Sequence, residues 1–374
     1  SAGATMLMMG IDTLIGGTGS DRVELGGGGQ SLIVAAVETL IGGAGSDYIA
    51  LGARGASMVT ANIETLVGSA NTDLITLTSS VGQSLTVWGV ESLLGSSGND
   101  RVELYAPDGV TFALAGVETV IGGGQGDRIN LMAPGSSVTI FDVETLVGGA
   151  NTDIVSLGST GVTVIVAGVE GLYGSSGLDV VRIGDRGSTL TTSGVASLTG
   201  GNGVDALTFT GASMVDGGAG SDVITLQAAA NNDVVQFSAA SDGTDSILNF
   251  QSGSDQIRFA GQLRALVDRN VDGALNDTAR SAGTADARTD ELVRLTSTVA
   301  SFTDTGFAAM RAALGNVTTS GELATLVVVA ATAAGATGVY VVTENGDGVV
   351  TAGETKLIAT LTAALTASGD FGLG

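Results

Sequence analysis

The 374-residue chain has no histidine, no cysteine, two prolines and one lysine, Lys356. Without thiols or imidazoles it can form no disulfide, no zinc site of the usual ligand set and no nucleophilic triad built on an imidazole base. Aromatic residues make up 4%, and Trp88 and the four tyrosines offer little for stacking on sugars. Two prolines beside 60 glycines exclude a collagen-like triple helix, which needs much proline and glycine at every third position. Apolar residues at 44% against charged residues at 14% argue against disorder. Positive charge is also scarce: Lys+Arg 14 against Asp+Glu 38 leaves a net charge of -24. Such a chain repels phosphate backbones and anionic membranes, so no nucleic acid is expected as a partner; cations are. No basic residue occurs in the first ten, so no secretory signal is read there. The uncharged run Leu323 to Thr343 holds Gly335, Gly338 and several threonines, and reads as two strands and a turn rather than a membrane span.

What the sequence has in quantity is repetition. Aspartates recur at Asp21, Asp47, Asp73, Asp100, Asp127, Asp153, Asp179 and Asp205, 26 or 27 residues apart. Nine residues before each stands a second column: Asp12, Glu38, Glu64, Glu91, Glu118, Glu144, Glu170, then Ala196. Apolar residues keep the same frame. Pairs such as Val23/Leu25, Ile49/Leu51 and Ile75/Leu77 follow the aspartate; Leu32/Val34 and Leu85/Val87 precede the acidic column; Val37/Leu40 and Val90/Leu93 flank it. Alternate residues of a strand share a face, so each repeat is about three short strands, too few to fold alone. The expected fold is all-β dominated: a parallel β-solenoid (β-roll or β-helix) of 26–27-residue coils with a small α/β C-terminal region. The expected domains are 1–210, eight long-coil repeats; 211–260, a short nonapeptide roll and cap; and 261–374, the C-terminal region.

With one repeat per coil, each aspartate would sit about 4.8 Å from its copies. Carboxylates at that distance repel by ~0.9 kcal/mol in water and more near a protein surface, which favours a cation between them. Glycine-rich turns such as Gly16–Asp21 direct carbonyls toward a common point, and hard oxygen ligands without nitrogen or sulfur select calcium. The competing reading is that each aspartate caps its own turn through the backbone. The glutamate file is read as a solvated face, with a second cation row as the alternative. The neighbouring threonine column is read as hydroxyl laddering rather than an ice-binding array.

Gly-Gly-x-Gly-x-Asp followed by alternating apolar residues resembles the nonapeptide of the RTX (repeats-in-toxin) family, whose loops hold calcium between neighbouring coils. Gly16–Asp21, Gly42–Asp47 and Gly217–Asp222 match in full; the other turns match in part. The family repeats every nine residues, whereas here one motif occurs per 26–27, which predicts calcium along one edge only. Asp245 to Phe259, with Asp255, resembles the segment closing RTX rolls. The tail, Val339–Thr343, Lys356–Thr362 and Ala367–Phe371, resembles the uncleaved signal of type I secretion substrates. The resemblance implies multiple Ca2+ ions, type I secretion machinery as a partner, and an extracellular or cell-surface location.

Two further calcium-loop-like stretches fall in the C-terminal region. One carries Asp268, Asn270 and Asp272 with Ala279 where a closing glutamate is wanted; the other carries Asn345 and Asp347 with Glu354 at the twelfth position. Each is read as a calcium site or as an Asn/Asp-Gly turn. Phe307, Met310 and Leu314 mark a helix stopped by Gly315. No paired acid and base with divergent surroundings appears, so the protein is not expected to be an enzyme. The function expected is a non-enzymatic, extracellular, calcium-binding structural protein of a surface layer, matrix or filament, folding on calcium after type I export. Self-association into a homo-oligomer or lattice is expected, through Met6–Leu25 unless an upstream segment covers that end; membrane insertion is not expected. The alternative is the C-terminal calcium-binding and secretion portion of a larger RTX enzyme or adhesin.

Overall fold

The fold follows from a mismatch between the repeat and the coil. In the computed structural model each repeat contributes three strands, beginning for example at Arg22, Ser31 and Thr39, with the next repeat starting at Tyr48. Each coil uses only two strands, one in each of two parallel sheets. Arg22 pairs with Thr39 and Thr39 with Val59, while in the other sheet Thr13 pairs with Ile33 and Ser31 with Tyr48. A coil therefore takes 17 to 23 residues, as between Arg22 and Thr39, Ser92 and Ala113 or Val223 and Ser246. The parallel β-solenoid expected from sequence is present; the 26–27-residue coil is not. Because three is odd, successive repeats begin on opposite sheets, and two repeats make three coils.

The structure describes residues 5–374 except Ala53, Ala106, Pro107, Gln125, Ala133, Pro134, Thr160, Asp185, Ala212, Ala229, Ala230 and Thr366. Contacts divide the chain into two compact units, Ser1–Asp179 and Val180–Gly374. In the first, the described strands run from Thr5–Met8 to Gly171–Tyr173 and all pair in parallel. Four-residue strands bury two side chains, such as Ile49 and Leu51; three-residue strands bury one, such as Leu40. Leu40, Leu66, Leu93 and Leu146 are fully buried. Like thus stacks on like, with the apolar pairs read from the sequence forming the core.

In the second unit the coils continue to Gln256–Phe259, but the chain does not end the stack there. Asp245–Leu248 pairs in parallel with Thr355–Leu361, and Gln256–Phe259 with Phe371–Leu373. The expected cap, 245–259, is thus itself covered by the C-terminal tail, and Phe371 stacks on Phe259. The run 323–343 forms two antiparallel strands, Ala324–Ala331 and Thr337–Glu344. Among the described residues no helix is long and apolar enough to cross a membrane. Helix Ala308–Leu314 buries Met310 and Leu314 and ends at Gly315, whose φ is 69°.

Coil stacking leaves little room at the corner that opens each aspartate turn. A Cβ on Gly95 would meet the Gly116 carbonyl oxygen at 1.7 Å, whereas one on Gly28 would meet nothing within 4 Å. Gly95→Ala is expected to cost about 1–3 kcal/mol, read as a lower urea midpoint, with Gly28→Ala close to neutral.

Candidate metal centre

The alternation of repeats decides where the aspartates go. Asp21, Asp73, Asp127 and Asp179 follow strands of one sheet; Asp47, Asp100 and Asp153 follow strands of the other. The two sets lie on opposite edges of the first unit, and within a set neighbours are three coils apart. At roughly 14 Å their repulsion in water is ~0.3 kcal/mol before salt screening. The close file of aspartates expected along one edge is absent there.

Backbone amides occupy the carboxylates instead. Oδ2 accepts from the N–H four residues earlier, as in Gly43 to Asp47 (2.8 Å) and Ser96 to Asp100 (2.5 Å). Oδ1 accepts from the corner N–H of the preceding coil, Gln30 to Asp47 at 2.7 Å and Gln83 to Asp100 at 2.8 Å. Asp73, Asp127, Asp153 and Asp179 make the same pair of bonds, and Asp21 makes the first of them with Gly17. The acidic column completes the ladder. The N–H of Asp47 donates to Glu64 Oε2 on the next coil, and the N–H groups of Asp21, Asp73, Asp100, Asp127 and Asp153 donate likewise to Glu38, Glu91, Glu118, Glu144 and Glu170, all at 2.7–2.8 Å. Gln83 contributes too, its Oε1 accepting from the Asn62 N–H. The 17- or 18-residue offset between aspartate and glutamate was the available signal; it equals one coil. Gly16 and Gly42 pack against the Ala36 and Asn62 carbonyls, and their N–H groups bond the adjacent coil.

In the second unit the aspartate spacing changes, and the geometry changes with it. Asp205 and Asp222 are 17 residues apart, one coil instead of one and a half, so they fall on the same edge in adjacent coils. Asp245 follows one coil later: Val223 pairs with Ser246. The Asp205 N–H donates to Asp222 Oδ1 (2.8 Å) and the Asp222 N–H to Asp245 Oδ1 (3.0 Å). Asp205 still accepts from Ser188 and Gly201. Asp222 is 1% exposed, and its Oδ2 has no hydrogen-bond partner. That atom and Asp245 Oδ2 both face Gly217, where a Cβ would sit 2.6 and 3.1 Å from them. A side chain at 217 would fill this space.

Burial, with the charges of Asp205, Asp216 and Asp242, pushes the Asp222 carboxyl up to about 6 against the bond from the Asp205 N–H. Burial, with Asp222, Asp216 and Asp242, pushes Asp245 up to about 8. Asp205 and Asp242 are also raised, chiefly by burial. On the other edge Asp233, which sequence reasoning missed, is fully buried with Oδ2 unpartnered, and burial beside Asp255 raises it to about 6. Its N–H donates to Asp255 Oδ1 at 3.1 Å, and Gln251 caps Asp255 Oδ2. The missed signal was Asp233 lying one coil before Asp255.

The C-terminal loops make mostly local bonds, with Asp268 Oδ1 and Glu354 Oε1 buried without a hydrogen-bond partner. Asp272 accepts from the Ala274 N–H and donates its own to Asn270; Asp268 lies against Arg264. Asp347 caps Val349 and donates its N–H to Asn345, while buried Glu344, rather than a residue of the expected ligand set, binds the N–H groups of Gly346 and Gly348. Glu354 turns away to accept from the Thr351 N–H and hydroxyl. Among the described residues no three carboxylates converge closely enough to hold one ion; the best anionic donor pair is Asp222 and Asp245, facing Gly217.

No protein-family model, curated protein or solved structure matches the chain. Sequence and geometry alone carry the functional reading.

Two outcomes follow. Asp100→Ala removes two charge-assisted bonds and strands a buried amide, so a loss of about 3 kcal/mol or more is expected in urea unfolding, equal with calcium and with chelator. In metal-free protein the carboxyls raised in the fold hold protons there that they release more readily when unfolded. The stability they contribute is therefore complete at acid pH and is lost as pH rises through about 6 and then about 8. Amide exchange of 205–255 at pH 5 and pH 8.5 checks this, the faster exchange at pH 8.5 being corrected for intrinsic rates.

Proposed function

We propose that the chain is a non-enzymatic extracellular structural protein of RTX type, in which calcium acts on the second unit and the first unit is held by its own carboxylate–amide bonds. The observation that carries this reading is the Asp222–Asp245 pair at Gly217: two buried carboxylates whose ionisation the fold opposes, one with a free oxygen, inside a full Gly-Gly-x-Gly-x-Asp match. Hard oxygen donors of this kind suit calcium. A divalent ion there would offset the charge that burial makes costly, so ion binding and folding of the coils around 205–255 would be linked.

The tail supports the order of events. Its strands Thr355–Leu361 and Phe371–Leu373 pair onto the last coils, so a secretion signal in that stretch is accessible only before the second unit folds. Low calcium inside the cell would keep it open; roughly millimolar calcium outside would close it, in keeping with the weak affinity of extracellular sites. Asp222 and Asp245 would be the anionic ligands, with Asp205 and Asp216 adding charge nearby. Self-association into a layer or filament remains part of the proposal.

With calcium tenfold above its Kd, the stabilisation is expected to be about 1.4 kcal/mol, seen as a higher melting temperature and slower amide exchange confined to 205–260. Asp222→Asn is expected to abolish the shift. Equal melting with calcium and with chelator would overturn the reading.

A further inference from the structure

In a chain this repetitive, places where small residues give way to large aromatic ones are informative, and two of them meet in the first unit. At the end of the strand that precedes each acidic residue stand Ala35, Ala61, Ala115 and Ala167, but aromatic residues at Trp88 and Phe141. Just past the strand that follows the aspartate stand Gly26, Gly52 and Gly158, with Thr78, Met132 and the aromatic Tyr105 in other copies. Beside Trp88 and Tyr105 lies the turn Gly122-Gly123-Gly124. Strands Ser84–Trp88, Arg101–Leu104 and Thr119–Ile121 are consecutive neighbours in one sheet, which brings Trp88, Tyr105 and this turn together although they span 37 residues of sequence.

The result is a cleft of about 480 Å³ lined by Trp88, Glu103, Leu104, Tyr105 and Gly122–Gly124. Trp88 is 51% and Tyr105 62% exposed, their rings edge to face with centroids 5.9 Å apart. Large aromatic rings left in water are costly unless something covers them. Glu103 lines the cleft beside them, half-exposed and bonded to Arg101 at 3.1 Å, so a carboxylate lies next to the rings. The glycine floor carries no side chain to obstruct a ligand.

We propose that this cleft is a binding site for an uncharged oligosaccharide. Ring faces take the C–H faces of sugar rings, while Glu103 and the Tyr105 hydroxyl supply an acceptor and a donor for hydroxyl groups. The volume is that of a small-ligand site. The net charge of -24 opposes an anionic glycan. The site uses no residue of the metal centre, so it stands or falls independently of the calcium reading.

Trp88 is the only tryptophan, so intrinsic fluorescence reports on this cleft alone. The full chain is titrated, with calcium and with chelator, with cellohexaose, maltohexaose, xylohexaose and chitohexaose, and with polygalacturonate as the anionic comparison. The expected result is a saturable shift with at least one neutral hexasaccharide, unaffected by chelator, with calorimetric affinity at least tenfold weaker in Trp88→Ala and in Tyr105→Ala at unchanged circular dichroism. No saturation by any neutral sugar at 10 mM would overturn the proposal, as would equal affinity in both variants. So would self-association of the wild type that Trp88→Ala abolishes, since the cleft would then be a contact between copies.

Discussion

A coil that turns every nine residues or so leaves backbone N–H groups at each corner with no strand to pair with, and buried amides must be satisfied. Here an acidic side chain answers that demand. Asp47, Asp73, Asp100, Asp127 and Asp153 each tie their own turn with one oxygen and the coil before with the other, and the N–H of each is taken by a glutamate of the coil after it. The carboxylates are therefore mortar between layers, and their charge is spent on oriented amide dipoles. Negative columns persist without lysine or arginine beside them because the amides are the counter-charge.

Spacing decides which aspartates meet. One and a half coils between aspartates puts them on opposite edges with three coils between like positions. One coil puts them directly above one another. Asp205, Asp222 and Asp245 meet the second condition, and there the amides no longer suffice: Asp222 keeps a free oxygen, and burial resists ionisation of Asp222 and Asp245. One motif thus binds backbone amides in one part of the chain and leaves buried carboxylates stacked in adjacent coils in another.

Much of the architecture was legible. Solenoid class, inward-facing pairs such as Ile49/Leu51, the antiparallel pair in 323–343 and the stop at Gly315 all follow from local pattern, because strand alternation and glycine conformation are properties of a few adjacent residues. The glutamates were harder to read: Glu64 looks like a solvated face until it is placed one coil above Asp47. The aromatic cleft was illegible, since Trp88, Tyr105 and Gly122 are neighbours only across strands.

The amino-acid order by itself determined that short strands would stack in parallel with like on like, and that carboxylates would recur at fixed corners; periodicity of apolar and acidic residues is enough for that. Only the folded chain decided how many strands close a coil. That number is set by how two sheets pack across a narrow core, not by the length of the repeat. Two strands per coil against three per repeat sends alternate aspartates to opposite edges, and no periodicity along the sequence contains that choice.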